Sequence, residues 1–306
     1  MKRFALDDLS KKIQWQELEP HALTQLAQWA YEEDLSGYGI INKPHQPIDV
    51  TTEALGLKGT GKASIVARES LIVSGTLWID YFIKAYDAAI TFDSHTHEGQ
   101  TITKGGSIGT LKGDITDLLK IERPLLNALQ YLSGIATEAH EYKSLLGTTP
   151  TRLLDTRKTL PGWRYLQKYA VACGGLYNHR LGLFDRILIK DNHLAALNIR
   201  DPHALTDLLL NIKKNHPNTI LEVEIDHLEQ LPPLLAADID IVLCDNFSDQ
   251  SLKQAIEIVN NQIYIEASGG ISGIRIPCIA NIGLDFISMG ALTQHARSVD
   301  IALDWL

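Results

Sequence analysis

The chain has 306 residues, 45% of them hydrophobic and 21% charged, and a net charge of −9. That length allows one large α/β barrel or two domains, with the composition of a soluble globular protein. No apolar run approaches bilayer-spanning length, the N-terminus lacks a signal-type apolar core, and the three cysteines (Cys173, Cys244, Cys278) are far apart with no CxxC spacing. A soluble cytoplasmic protein is expected, without a disulfide framework or a zinc site.

From Phe4 to Glu33, apolar residues recur at intervals of three and four, which predicts two amphipathic helices, with Pro20 in the first turn of the second. Residues 35–49 carry turn formers and little periodicity, which predicts a surface loop, and Thr51 and Thr52 follow at the start of a helix or strand. Between Gly61 and Ile121 the pattern changes to short β-type pieces (KASIVAR, LIVSGT, AAITFDS, TITKGGSIGTLKG) around a helix over Leu77 to Tyr86. This predicts an α+β sandwich, in which His95 and His97 are exposed strand residues. IERPLLNALQYLSGIATEAHEYKSLL then reads as a long helix with Pro124 in its first turn and Arg123 at its entrance.

From Arg152 onward, short apolar runs alternate with helices: RLLDTRK, RILIKDNH, ILEVEID, IDIVLCDNF, IYIEASGG and DFISMGA. Runs of this kind are parallel strands buried on both faces, and a parallel barrel carries its active site at the C-terminal strand ends. The expected rim therefore holds Asp155, Arg157, Lys158, Lys190, Glu224, Asp245, Glu266, Ser268 and Gly290. Six runs are visible where a full barrel has about eight strands, so an incomplete or modified barrel is expected. The expected domains are an N-terminal α/β sandwich over residues 1–121 and a bridging helix with barrel over 122–293, with 294–306 packing back onto the first domain.

Charge points to the same rim. Residues 151–193 hold eight Lys or Arg against three Asp, a balance of +5 in a chain of −9. A cationic island in an acidic protein suits a small, highly charged anion better than nucleic acid or membrane. Arg157 and Arg180 can each grip a carboxylate bidentately. Glu224 and Asp245 offer the hard oxygens magnesium takes together with phosphates, or else neutralise Arg157, Lys158 or Lys190. The glycine turns at Ser268–Gly270 and Met289–Ala291 present backbone N–H groups to a phosphate. Lys190 has a further reading as a Schiff-base lysine, although neighbouring cations favour its holding a carboxylate.

DTRKTLPG (155–162), NHRLG (178–182), LIKDNH (188–193), EVEID (222–226), DNF (245–247) and EASGG (266–270) resemble the motif series of the quinolinate phosphoribosyltransferases. ERPLLN (122–127), LSGIAT (132–137) and GALT (290–293) extend the resemblance in the same order. It implies an N-terminal α/β sandwich followed by an open, seven-stranded α/β barrel, and a homodimer whose sites are completed across the interface. It also implies an enzyme of NAD biosynthesis, converting quinolinate and phosphoribosyl pyrophosphate (PRPP), with magnesium, into nicotinate mononucleotide, pyrophosphate and CO2. By that resemblance Arg157, His179, Arg180 and Lys190 bind quinolinate, and Arg123 reaches in from the neighbouring subunit. Lys158, Glu224, Asp245, Ser268, Gly269 and Gly290 hold PRPP and its metal, with Lys158, Lys190, Glu224 and Asp245 as the catalytic set.

Overall fold

The computed structural model describes residues 2–199 and 201–306. They form two compact units that interleave along the chain. One comprises the stretch through Lys12 with Glu141–Thr159 and Leu176–Gln294, and the other Ile13–His140, Leu160–Gly175 and His295–Leu306.

Of the two N-terminal helices expected, the first is one short turn, α1 (Leu6–Leu9), and the second is α2 (Pro20–Ser36), with Pro20 in its first turn. Tertiary pairing cuts the first one short: Lys11 forms a β-bridge to Asn178, whose N–H donates to the Lys11 carbonyl at 2.7 Å. Residues 37–49 have no regular structure. Asp49 then caps α3 (Val50–Leu55) by accepting the N–H groups of Thr51 and Thr52.

The unit beginning at Ile13 is built on antiparallel strands. They are β1 (Thr60–Ala67), β2 (Leu71–Ile72), β3 (Ile90–Ser94), β4 (Thr101–Ile102) and β5 (Ser107–Asp114), with helix α4 (Ile79–Ala85) between β2 and β3. β1 lies between β5 and the chain's last strand, Ile301–Trp305, and β3 pairs with β5's other edge. The C-terminal residues thus complete this unit's sheet. His95 and His97 fall in the turn after β3.

The long helix, α5, runs Ile115–Leu146. It starts six residues before the apolar periodicity suggests, because Asp114 accepts the N–H groups of Thr116 (2.8 Å) and Asp117 (3.3 Å) and so supplies a cap upstream. Pro124 is therefore inside the helix and Arg123 a full two turns into it. The boundary expected after residue 121 falls within this helix, which passes from one unit to the other. Helix α6 (Arg164–Cys173) completes the antiparallel unit.

In the other unit every apolar run predicted as a strand is one: β6 (Arg152–Leu154), β7 (Ile187–Ile189), β8 (Leu221–Ile225), β9 (Ile241–Asp245), β10 (Tyr264–Ser268) and β11 (Phe286–Ser288). They form one parallel sheet in the order β6-β11-β10-β9-β8-β7. A seventh position is occupied only by a single parallel bridge, Leu154 to Tyr177. Alternate residues share a face. The parallel registers place Leu154, Leu188, Glu222, Glu224, Ile241, Leu243, Asp245, Tyr264, Glu266, Ser268, Phe286 and Ser288 on one face. The far end of that face is apolar: Leu154, Ile241, Tyr264 and Phe286 cluster with Leu9 of α1, joined by Phe4 and Leu6. The N-terminal turn is thus the plug at the bottom of this sheet's concave side, which explains why a four-residue helix persists.

Candidate active site

Three layers stand on the face that Leu9 plugs. The bottom is the apolar cluster just described. Above it lies a sealed charged layer, and above that the C-terminal strand ends.

The sealed layer is organised by His179, which follows the Tyr177 bridge. Its backbone N–H donates to Asp155 at 2.9 Å, and the Asn178 amide donates to the same carboxylate at 2.8 Å. The His179 Nε2 stands 3.3 Å from Glu222 on β8 and 3.5 Å from Glu266 on β10. On its other edge, Nδ1 accepts the backbone N–H of Arg180 at 2.8 Å. Arg186 donates to the second Glu222 oxygen at 3.1 Å and to the carbonyl of Leu9. Both glutamates are fully buried, and His179 and Arg186 nearly so. Burial alone would raise the Glu222 pKa, but His179 and then Arg186 overcome it and hold the carboxyl at about 2. Burial likewise opposes charge on His179, yet Glu222 and Glu266 raise its pKa to about 9. Nε2 presents its proton between the two carboxylates, and Nδ1 is turned to the Arg180 backbone.

The upper layer contains most of the residues expected on the rim. Lys190, one residue beyond β7, donates to Glu224 at 2.6 Å. This is the neutralising role, and it places the lysine beside a carboxylate. Glu224 ends the inward row of β8 and Asp245 that of β9, so the two acids are on neighbouring strands, offset by one inward step because Leu243, not Asp245, is in register with Glu224. Asp245 accepts from the Asn246 amide at 2.7 Å. Ser268 pairs in register with Asp245, and Gly269 follows with φ +82°. A Cβ on Gly269 would collide with the Asn246 amide oxygen and come within 2.6 Å of Asp245 Oδ1, so only glycine lets this loop lie against those side chains. Gly290 has a comparable role: a Cβ there would stand 2.7 Å from Cδ of Lys158, whose stem crosses it. The carbonyl of Lys158 accepts from Thr293 Oγ1 at 2.7 Å, which ties the DTRKT loop to the turn after β11.

Arg157 and Arg180 complete the island. Burial and then the Arg157 charge push the Arg180 pKa below its ordinary value. Arg157 Nε is buried without a hydrogen-bond partner. Two guanidiniums held close in a poorly solvated place are an anion site by elementary electrostatics.

Two placements differ from the rim expected: Asp155 is fully buried, where it holds the His179 N–H, and Glu266 is buried as well. Glu266 is not at the rim but one step below Ser268, in the sealed layer with Glu222 and Arg186. The E-x-E spacing of Glu222 and Glu224 signals this, because residues two apart on a strand share a face at different depths. Among the described residues one trio of potential metal ligands converges within 4.8 Å, His179, Glu222 and Glu266, and it includes neither Glu224 nor Asp245. Arg123 belongs to the other unit. Its side chain is 64% exposed, its nearest acid is Glu122 at 3.8 Å, and it lines a cavity of about 520 Å³ with Trp78, Phe82, Tyr131 and Trp163.

Among known proteins, the family profiles for the quinolinate phosphoribosyl transferase N-terminal and C-terminal domains match residues 49–133 and 135–304. A nicotinate-nucleotide pyrophosphorylase (carboxylating) of Mycobacterium leprae is 37% identical over 266 residues, covering 84% of this chain and 91% of its own. A probable enzyme of the same description from Synechocystis is 35% identical over 259 residues, covering 83% and 86%. The solved nicotinate-nucleotide pyrophosphorylase of Francisella tularensis superimposes with a TM-score of 0.86 at 34% identity, covering 97% of this chain and all of that one.

Proposed function

The chain belongs to the quinolinate phosphoribosyltransferase family, and from that membership and the rim we infer that it transfers phosphoribose from PRPP to quinolinate in NAD biosynthesis, releasing pyrophosphate and CO2. The observation that carries the site assignment is the juxtaposition of two neighbouring guanidiniums, Arg180 buried and Arg157 half-buried, with a lysine–carboxylate pair and a glycine loop.

Arg157 and Arg180 take the two carboxylates of the pyridine ring, with Lys190 at the same pocket and His179 beneath it. Lys158, Ser268, Gly269 and Gly290 hold the phosphate oxygens of PRPP. The bond from the ribose anomeric carbon to pyrophosphate breaks with the electron pair leaving on oxygen, and Glu224 and Asp245 stabilise the positive charge that develops on the sugar. The pyridine nitrogen donates its lone pair to that carbon. The carboxylate next to the new pyridinium leaves as CO2, its bonding electrons pass to the ring carbon, and a proton replaces it. The protein's main task in that last step is orientation.

The donors at the rim suit magnesium: carboxylate oxygens on neighbouring strands, with Asp245 kept open on one side by the lack of a Cβ at Gly269. Glu224 and Asp245 would hold the ion, directly or through water, and its charge would neutralise the pyrophosphate leaving group. The protein works as a homodimer in which Arg123 serves the partner's site, a role that its exposed guanidinium supports. It acts in the cytoplasm; no helix among the described residues is long and apolar enough to cross a membrane.

Purified protein mixed with quinolinate, PRPP and magnesium is expected to form nicotinate mononucleotide and CO2. Lys158→Ala and Glu224→Ala are each expected to lose about a hundredfold or more in kcat/KM. Turnover that survives both substitutions overturns the assignment of the rim.

A further inference from the structure

The rim accounts for the charges that face a ligand, but not for two cations gathered at the plugged end of the same sheet. Lys12 Nζ stands 4.6 Å from the centre of the Tyr177 ring and the Arg152 guanidinium 4.5 Å from it, so one aromatic side chain lies against two positive groups. They are crowded together: burial, then the charges of Lys143 and Arg152, push the Lys12 pKa below its ordinary value. Arg152 also donates to the carbonyl of Leu6 at 3.1 Å and to the Ser10 hydroxyl at 3.0 Å, and it pairs with Asp7, which binds the N-terminal segment to β6. The backbone at the ring is fastened on both sides. Tyr177 donates its N–H to Leu153 and accepts that of Asp155, each at 3.1 Å, while Asn178 donates to Lys11 at 2.7 Å. These two residues are a strand fragment with β6 on one edge and the N-terminal segment on the other. The fragment follows the Gly174–Gly175 pair and leads directly into His179 and Arg180.

We propose that Tyr177 is a positioning residue for quinolinate: clasped by Lys12 and Arg152 at the plugged end of the sheet, it fixes the strand fragment from which His179 and Arg180 enter the site. This rests on reading the rim as the quinolinate site. The Tyr177 ring packs, like Phe4 and Leu6, on the Leu9 cluster, so it acts from beneath and does not line the pocket. A fragment held by one bridge on each edge has few backbone bonds of its own, and the glycines before it bring no side chain to anchor it. An aliphatic side chain at 177 would fill much of the same space without attracting either cation. A bidentate grip on a carboxylate tolerates little angular error, so freeing the fragment weakens quinolinate binding more than that of PRPP, whose ligands Lys158, Ser268, Gly269 and Gly290 lie on other loops.

The test is a double-mutant cycle on the full chain between Tyr177→Leu and Lys12→Met, with Tyr177→Phe as the conservative control. KM for each substrate, quinolinate binding by calorimetry and the thermal midpoint are measured for every variant. Expected are a rise in quinolinate KM of about tenfold for Tyr177→Leu and about threefold for Lys12→Met, with PRPP KM within about twofold of the parent in both. Tyr177→Phe should keep both KM values within about twofold, and Lys12→Met should add less than about 1.5-fold in the Tyr177→Leu background. Additive effects in the cycle would show that Lys12 acts without the ring and overturn the clasp. So would a loss in Tyr177→Phe equal to that in Tyr177→Leu, which would assign the effect to the hydroxyl. Equal rises in both KM values, which indicate general loosening, or an unchanged quinolinate KM in Tyr177→Leu would overturn the positioning role. If Tyr177→Leu fails to fold, Lys12→Met still reports the quinolinate-to-PRPP split. A parent protein that neither turns over nor binds quinolinate defeats the functional reading itself, a result distinct from a parent that binds and variants that bind equally well.

Discussion

Two acids on one strand, two residues apart, have opposite lives. Glu222 and Glu224 share a face of β8. Glu222 is fully buried and clamped between a histidine and an arginine, whereas Glu224 is partly exposed and paired with Lys190, itself 41% exposed. β10 repeats the difference in depth, with Glu266 buried below Ser268, although His179 at 3.5 Å is its nearest charge and neither of its oxygens accepts a hydrogen bond. Depth along an inward row decides what a charge is for. One step down, the desolvation cost is met only by fixed partners, and the group serves geometry; at the rim, the partner can be exchanged for a ligand.

The contrast is broken most directly by neutralising each acid in turn. Glu222→Gln leaves Arg186 buried without its anion, at a cost of about 3 kcal/mol, and is expected to lower the thermal midpoint by about 10 °C, whereas Glu224→Gln should shift it little and remove activity instead. The pH profile should follow. The folded-state pKa of Glu222, about 2, lies below its ordinary value of 4.5, so its stabilisation is complete above that value and is lost as pH falls through about 2. Thermal melts between pH 6 and 2 should therefore show a steeper acid limb for the parent than for Glu222→Gln. Parallel curves would show that Glu222 is not the charged anchor described here.

Much of this was legible in the sequence, and what was not has physical causes. All six parallel strands were readable because strands buried on both faces are continuous apolar runs. The seventh strand was hidden because it is one bridge at Tyr177 with no apolar run to announce it. α1 was overcalled because pairing at Lys11 overrides local periodicity, and α5 was started late because its cap, Asp114, lies in what reads as a strand end. Arg157, Lys158, Arg180, Lys190, Glu224 and Asp245 were readable as a charged rim. Arg186 was not distinguished from its cationic neighbours, since nothing local separates a buried arginine from an exposed one; its partner Glu222 lies 36 positions away.

A smaller effect tests the upper layer alone. Gly269→Ala must place a Cβ against Asn246 and Asp245 at a backbone φ of +82°, so the loop or the acid has to move. A cost of about 1–2 kcal/mol in stability is expected, together with a rise in PRPP KM and little change in that for quinolinate. Equal loss for both substrates would mean that the glycine loop serves the whole rim rather than the phosphates.

Cys244 precedes Asp245 on β9, and the alternation of a strand turns it to the sheet's other side. It is fully buried, and burial, followed by the charge of Glu266, pushes its thiol up to about 12. A thiol in that state is a small apolar filler and no nucleophile. Cys244→Ala should therefore cost about 1 kcal/mol, from the sulfur's lost contacts, and leave kcat and both KM values within about twofold. In the native protein a thiol reagent should modify exposed Cys278 and spare Cys244. Labelling of Cys244 that substrate prevents, with turnover lost in step, would show that this residue reaches the rim, and that strand parity does not separate scaffold from site on β9.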